Sequence, residues 1–132
     1  MVADSNPEVD DFDRFDIFLK DYPAGQGYQC LIAYAQNILD EGWRLYDYGR
    51  TKNMEKYGAF APPEVPLNNY SLPTALIAGE YDRLADLLDI AWLKTRIDDH
   101  VIFYGEFPLG HLSYALAKDM TWFSDTVMGL IN

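Results

Sequence analysis

Two side chains have the types and positions for proton-transfer chemistry. Asp82 follows the apolar run 72–79 in "LPTALIAGEYD", and His111 follows the run 100–106 in "HVIFYGEFPLGH". A carboxylate that holds the Nδ1–H of an imidazole fixes its tautomer. It also stabilises the imidazolium formed when Nε2 takes a proton from a nucleophile. Asp82 and His111 are therefore candidates for the orienter and the base of such a relay. Each also has a plainer reading. An aspartate after a strand is a common turn former or helix cap, and a histidine between Gly110 and Leu112 suits the start of a helix.

To meet, the two residues must leave neighbouring strands at one edge of a sheet. "LPTALIAG" (72–79) is nearly continuous in apolar residues, the pattern of a strand buried on both faces. "HVIFYGE" (100–106) is a second strand, aromatic and β-branched. Between them "DLLDIAWLKTRI" (86–97) has helical periodicity, with Asp86 as its N-cap. "HLSYALAKDMTWFSDTVMGLI" (111–131) reads as a final helix. The order β-α-β-α fits a parallel pair with a crossover helix, so the fold class expected is α/β. Adjacent parallel strands lie about 4.8 Å apart, and ligands in open parallel sheets sit past the carboxyl ends of the strands.

The first half is less regular. Residues 1–11 read as an acidic, disordered arm. "FDRFDIFLKDYPAG" is a short apolar segment stopped by Pro23 and Gly25. Leu31, Tyr34, Ala35, Ile38 and Leu39 recur at helical spacing, and Gly42 is a suitable terminator. "WRLYDYG" reads as a short extended piece, and residues 50–71 as irregular. Pro62, Pro63 and Pro66 rule out a helix interior there, and a boundary falls naturally in this loop.

Composition removes several function classes. The chain has 132 residues, 49% apolar and 15% aromatic, enough for one small folded domain. A net charge of -11 disfavours nucleic acid and any anionic membrane held through a basic patch. Cys30 is the only cysteine, so neither an internal disulfide nor a thiolate metal cluster is expected. The N-terminus lacks the basic and apolar regions of a signal peptide as it stands, and no run approaches the roughly 18 apolar residues of a membrane span.

The remaining candidates are weaker. "IDDH" (97–100) offers two carboxylates and an imidazole, but lies in a helix-to-strand turn at the sheet edge opposite Asp82. A solvated turn is expected rather than a metal site. Asp86 and Asp89 suit the N-terminal dipole of their helix. Cys30, in an apolar helical stretch with no local base, reads as a packing residue. Trp43, Tyr46 and Tyr48 fit either a lipid-facing surface or ordinary core, and Trp122 and Phe123 fit packing of the last helix.

An ordered set of segments is similar to the C-terminal part of the acid lipase family, which includes gastric and lysosomal acid lipases. "RFDIFLKDYPAG" (14–25) resembles a lid-region segment ending in Pro-Ala-Gly. "AQNILDEGWRLYDYG" (35–49) resembles the Gln-containing helix and the aromatic stretch after it. Asn53, Tyr57 and "PPEVPL" (62–67) follow at similar spacing. "VPLNNYSLPTALIAGEYDRLAD" resembles the strand leading to the catalytic aspartate, and "GEFPLGHLSY" the segment carrying the catalytic histidine. The resemblance runs from about residue 12 to the end.

This resemblance implies the C-terminal fragment of an α/β-hydrolase, with Asp82 as triad acid and His111 as triad base. It assigns residues 12–66 to a remnant of a helical lid over an acyl-binding cleft, and 67–132 to the hydrolase core. It implies hydrolysis of triacylglycerols or steryl esters with no metal or organic cofactor, in a family whose members are secreted or lysosomal. The family also needs a serine in G-x-S-x-G and an oxyanion hole nearer the N-terminus. The serines here are Ser5, Ser71, Ser113 and Ser124, and none has glycine two residues away on both sides. Other departures are Gln26-Gly27 for a Thr-Ser pair, Ala33 or Tyr34 for a lid histidine, and Ser113 for an acidic residue two places after the catalytic histidine.

The function expected is therefore the Asp–His part of a lipase-like serine ester hydrolase, inactive alone and acting on lipid esters when complemented by an N-terminal portion. The alternative is a noncatalytic split or decayed fragment serving as a binding or assembly module. Two strands and a lid leave apolar edges uncovered, so self-association or a partner chain is expected in either case.

Overall fold

The structure, a computed structural model, describes residues 4–22, 24–40 and 42–131. It divides into two compact units, one formed by 4–22 with 68–131 and the other by Ala24–Leu67.

The first unit is built on two parallel strands, β1 (Thr74–Gly79) and β2 (Val101–Phe107). They pair from Ala75 against Phe103 to Gly79 against Phe107, with one register irregularity after Thr74. The helix between them spans Leu87–Arg96. It starts where the Asp86 carboxylate accepts the Leu88 N–H at 2.7 Å. Asp89 lies in its first turn and Lys94 and Arg96 in its last, charges that complement the helix dipole. The β-α-β order with parallel strands is thus present: helices with a small two-stranded parallel sheet, an α/β arrangement.

The sheet is less covered than the apolar run of β1 suggests. Only Ala78 and Gly79 of β1 are buried, and Ile102 in β2 is 63% exposed. Among the described residues the sheet has only these two strands, so neither outer edge is paired with a further strand. The buried apolar core is small: Ala78, Ile97, Leu109, Leu116 and Ala117.

The final helix is not continuous. A single turn, Ser113–Leu116, stops at Ala117, and a wide π-helical stretch, Trp122–Val127, leads into a last turn, Met128–Ile131. The break has a cause outside the helix. The Leu116 carbonyl accepts the Asp11 N–H at 2.7 Å, and the Lys118 N–H goes to the Val9 carbonyl at 2.9 Å. Asp10 and Ala117 form an antiparallel bridge between these bonds. The described part of the acidic arm, residues 4–11, is therefore not frayed. Asp4 is 3% and Asp10 1% exposed. Residues 1–3 lie outside the described residues. Phe15 and Phe18 of helix Phe15–Asp21 and Tyr22, which caps its end, then form a row of rings with successive centroids 6.0 and 4.7 Å apart.

The second unit centres on helix Tyr28–Leu39 and the loops it organises. Gln36 bonds both the N–H and the carbonyl of Asp47 at 2.9 Å, and Asn37 accepts the Arg44 N–H at 2.8 Å. Residues 50–71, expected as irregular, contain a helix at Arg50–Tyr57. Its sequence is polar and carries no apolar stripe, so periodicity could not show it. Asn53, fully buried, ties it down through the Tyr48 N–H, the Asp47 carboxylate and the Phe60 carbonyl at 2.9, 2.7 and 3.1 Å. The apolar residues of Tyr28–Leu39 are not buried: Leu31, Tyr34, Ile38 and Leu39 are 62–82% exposed. Trp43 is 43% exposed, and the rings of Tyr46 and Tyr48 meet at a tilt with centroids 4.6 Å apart. No described helix is long and apolar enough to cross a membrane.

Candidate active site

β1 ends on Gly79 because the chain leaving β2 passes directly over it. A Cβ at position 79 would lie 2.5 Å from the Leu109 carbonyl oxygen. That carbonyl accepts the Tyr81 N–H at 2.9 Å, while the Glu80 N–H bonds the Phe107 carbonyl at 2.9 Å. The two loops leaving the carboxyl ends of β1 and β2 are thereby stitched together. A turn closed by Asp82 N–H on the Gly79 carbonyl, at 3.2 Å, directs the Asp82 side chain inward.

The Asp82 carboxylate uses its oxygens separately. Oδ1 accepts the Leu84 and Ala85 N–H groups at 2.8 and 2.9 Å, and Oδ2 lies 3.1 Å from His111 Nδ1. The Asp82 side chain is fully buried, whereas the His111 side chain is 40% exposed. Burial pushes the Asp82 carboxyl up. The Ala85 and Leu84 amides and the His111 ring outweigh it, and hold Asp82 below the ordinary 3.8. An ionised carboxylate can only accept, so the Nδ1 that faces it carries a proton, and in the neutral ring the lone pair is then at Nε2. No hydrogen bond among the described residues engages Nε2. The arrangement has the chemistry of an oriented general base.

Tyr114 packs beneath this rim. Its hydroxyl donates to the Ile77 carbonyl at 3.1 Å, and its ring meets Trp122 edge-on at 5.7 Å. Burial, then the Asp82 charge, raise the Tyr114 phenol above its usual value. Beside the end of β2 lies a cavity of about 350 Å³, walled by Val9, Phe107, Leu109, Ala117 and Trp122 among others; Asp82 and His111 do not line it.

Two of the other sequence candidates have structural roles. Asp86 caps its helix, and Asp98–His100 forms a 3₁₀ turn entering β2, with His100 edge-on to Tyr70. No group of three or more His, Cys, Asp or Glu among the described residues is placed to hold a metal ion. Cys30 is exposed rather than packed.

Two residues at the site, Asp4 and Asp10, escaped the sequence reading, and Ser113, noted there only as a departure two places after His111, joins them. The His111 backbone N–H donates to Asp4 Oδ1. Ser113 Oγ accepts the Gly110 N–H at 2.7 Å and donates to Asp10 Oδ1 at 2.5 Å. These contacts join positions 107 and 103 residues apart, and no local pattern announces them.

Fold and site together define a small parallel α/β unit that carries a buried carboxylate and a half-exposed imidazole at the carboxyl ends of its strands. No family profile matches the chain. It is 28% identical over 120 residues to a tear acid lipase-like protein of Mesocricetus auratus, across 90% of this chain and 30% of that one. It is 29% identical over 111 residues to the lysosomal acid lipase/cholesteryl ester hydrolase of Homo sapiens, across 83% and 28%. It is 31% identical over 108 residues to the gastric triacylglycerol lipase of Rattus norvegicus, across 80% and 27%. The chain is an acid lipase relative that spans about 30% of the length of the curated proteins it matches, as a C-terminal part would.

Proposed function

We propose that this chain is the C-terminal part of an α/β-hydrolase and supplies the acid and base of a lipase-like serine ester hydrolase. Asp82 is the orienting acid and His111 the general base. The nucleophilic serine and the oxyanion hole belong to a hydrolase portion this chain does not span. Residues 12–66 form part of a lid, and 67–132 the edge of the catalytic core. The relatives named for triacylglycerol and cholesteryl ester point to lipid esters as the substrate class. The relay needs no metal or organic cofactor.

One observation carries this reading: Asp82 Oδ2 lies 3.1 Å from His111 Nδ1 where two parallel strands end. In the mechanism that follows, Nε2 takes the proton of the serine hydroxyl as it attacks the ester carbonyl. Asp82 stabilises the imidazolium, and the same proton then goes to the leaving alcohol. The test mixes the chain with the serine-bearing N-terminal portion of a lysosomal acid lipase and follows hydrolysis of short p-nitrophenyl esters. Hydrolysis that needs both pieces and is abolished by His111→Ala is expected. Hydrolysis left intact by His111→Ala would refute the roles.

A second reading has its own support. Leu31, Ile38 and Leu39 of helix Tyr28–Leu39 are 62–82% exposed, large apolar side chains left uncovered on one helix. This exposure favours a noncatalytic assembly module covered by self-association or by a partner chain. Light scattering decides: a monomer that binds no hydrophobic dye eliminates it.

A further inference from the structure

We propose that Asp4 and Asp10 are positioning residues for His111, a clamp supplied by a segment more than 100 residues away in sequence. The proposal rests on Asp82 and His111 being the working pair.

The His111 loop presents two consecutive backbone amides, and both are held from the N-terminal segment. The His111 N–H donates to Asp4 Oδ1 directly. The Gly110 N–H reaches Asp10 through one hydroxyl, Ser113 Oγ, at 2.7 and 2.5 Å. Asp4 also forms an antiparallel bridge with Asp82, and the Ser5 N–H donates to the Tyr81 carbonyl at 2.9 Å. One residue thus touches both loops: the Asp82 loop through its backbone and the His111 loop through its carboxylate. That geometry fixes the separation of the pair.

Sequence and burial agree with this role. Gly110 leaves the room the clamp needs, since a Cβ there would strike the Asp4 carboxylate. Asp4 is 3% and Asp10 1% exposed, and the second oxygen of each has no partner among the described residues. Burying a half-satisfied carboxylate is unfavourable. Doing so twice within one short segment is explained if the paired oxygens hold something whose position matters.

The test uses the whole ¹⁵N-labelled chain at fixed neutral pH and needs neither ester nor serine. Two signals are read: the deshielded proton of His111 Nδ1 bonded to Asp82, and the exchange rate of the His111 backbone amide. Asp4→Ala is expected to remove the first and raise the second about tenfold, the size for one lost hydrogen bond. Asp4→Asn keeps an acceptor oxygen and is expected to restore both. If Asp4→Ala leaves both signals at their wild-type values, or if Asp4→Asn loses as much as Asp4→Ala, the clamp is refuted. Should Asp4→Ala fail to fold by circular dichroism, Ser113→Ala replaces it. Faster Gly110 exchange with a weakened Nδ1 signal supports the clamp, and an unchanged Nδ1 signal overturns it. An intact clamp without complemented hydrolysis would refute the hydrolase reading alone.

Discussion

Asp82 gives one carboxylate oxygen to its own loop and the other to His111: Oδ1 bonds the Leu84 and Ala85 amides, and Oδ2 sits 3.1 Å from Nδ1. Asp82→Asn separates these duties. Its amide oxygen still serves the two backbone N–H groups, so its NH₂ is turned toward Nδ1. A donor there demands the imidazole lone pair at Nδ1 and sends the ring proton to Nε2, the wrong tautomer for a base. In complemented ester hydrolysis the rate is expected to fall about 10⁴-fold. The thermal midpoint, read from a melt of the same variant, is expected to move by only a few degrees.

The same carboxylate sets an acid limit on stability. Its folded value lies below the ordinary 3.8, because the Ala85, Leu84 and His111 bonds outweigh burial. A depressed carboxylate binds its proton more weakly folded than unfolded. Its contribution is therefore present above the unfolded value and lost as pH falls through the folded one. Urea unfolding of the wild type is expected to weaken from about pH 4 downward, and Asp82→Asn to show a flatter profile there. Parallel profiles would mean the carboxylate is not held as described.

The β-α-β order and the parallel pairing were legible because each rests on local pattern: the apolar run 72–79, the Asp86 cap and the aromatic, β-branched run 100–106. The meeting of Asp82 and His111 followed from that topology and from the resemblance. What was not legible depends on distant partners. The final helix, read from periodicity as one helix with room for a bend, instead breaks at Ala117, where residues 9–11 bond its backbone. The acidic arm looks solvated because charge ordinarily stays in water, yet Asp4 and Asp10 are buried. The helix at Arg50–Tyr57 has no apolar stripe and is held by Asn53 instead. In each case the deciding bond is side-chain to backbone or long-range, and alternation along a chain does not encode it.

Cys30 gives an inexpensive check on the second unit. Its apolar neighbours read as packing, yet it is exposed, and no described residue of helix Tyr28–Leu39 is buried. Ellman's reagent is expected to modify one thiol per native chain promptly. Adding denaturant should speed the reaction by no more than about threefold, since there is little protection to remove. A native thiol that reacts only after unfolding would show that this helix face is covered in solution.

The approach of the two loops at Gly79 makes the strongest structural prediction. A methyl at this position would lie 2.5 Å from the Leu109 oxygen and 3.3 Å from the Asp82 Cβ. The first contact is with backbone, which cannot rotate aside. Gly79→Ala must therefore push Leu109 away, stretching its bond from Tyr81 and dragging His111, two residues on, off the Asp82 carboxylate. Destabilisation of about 1–3 kcal/mol is expected, as for overpacking in a tight site. A melt should show it, and the deshielded Nδ1 proton of His111 should weaken in the fraction that stays folded. An alanine variant with an unchanged melt and an unchanged Nδ1 signal would mean that the loops are not stitched at Leu109, and the route by which β1 and β2 hold Asp82 against His111 would have to be redrawn.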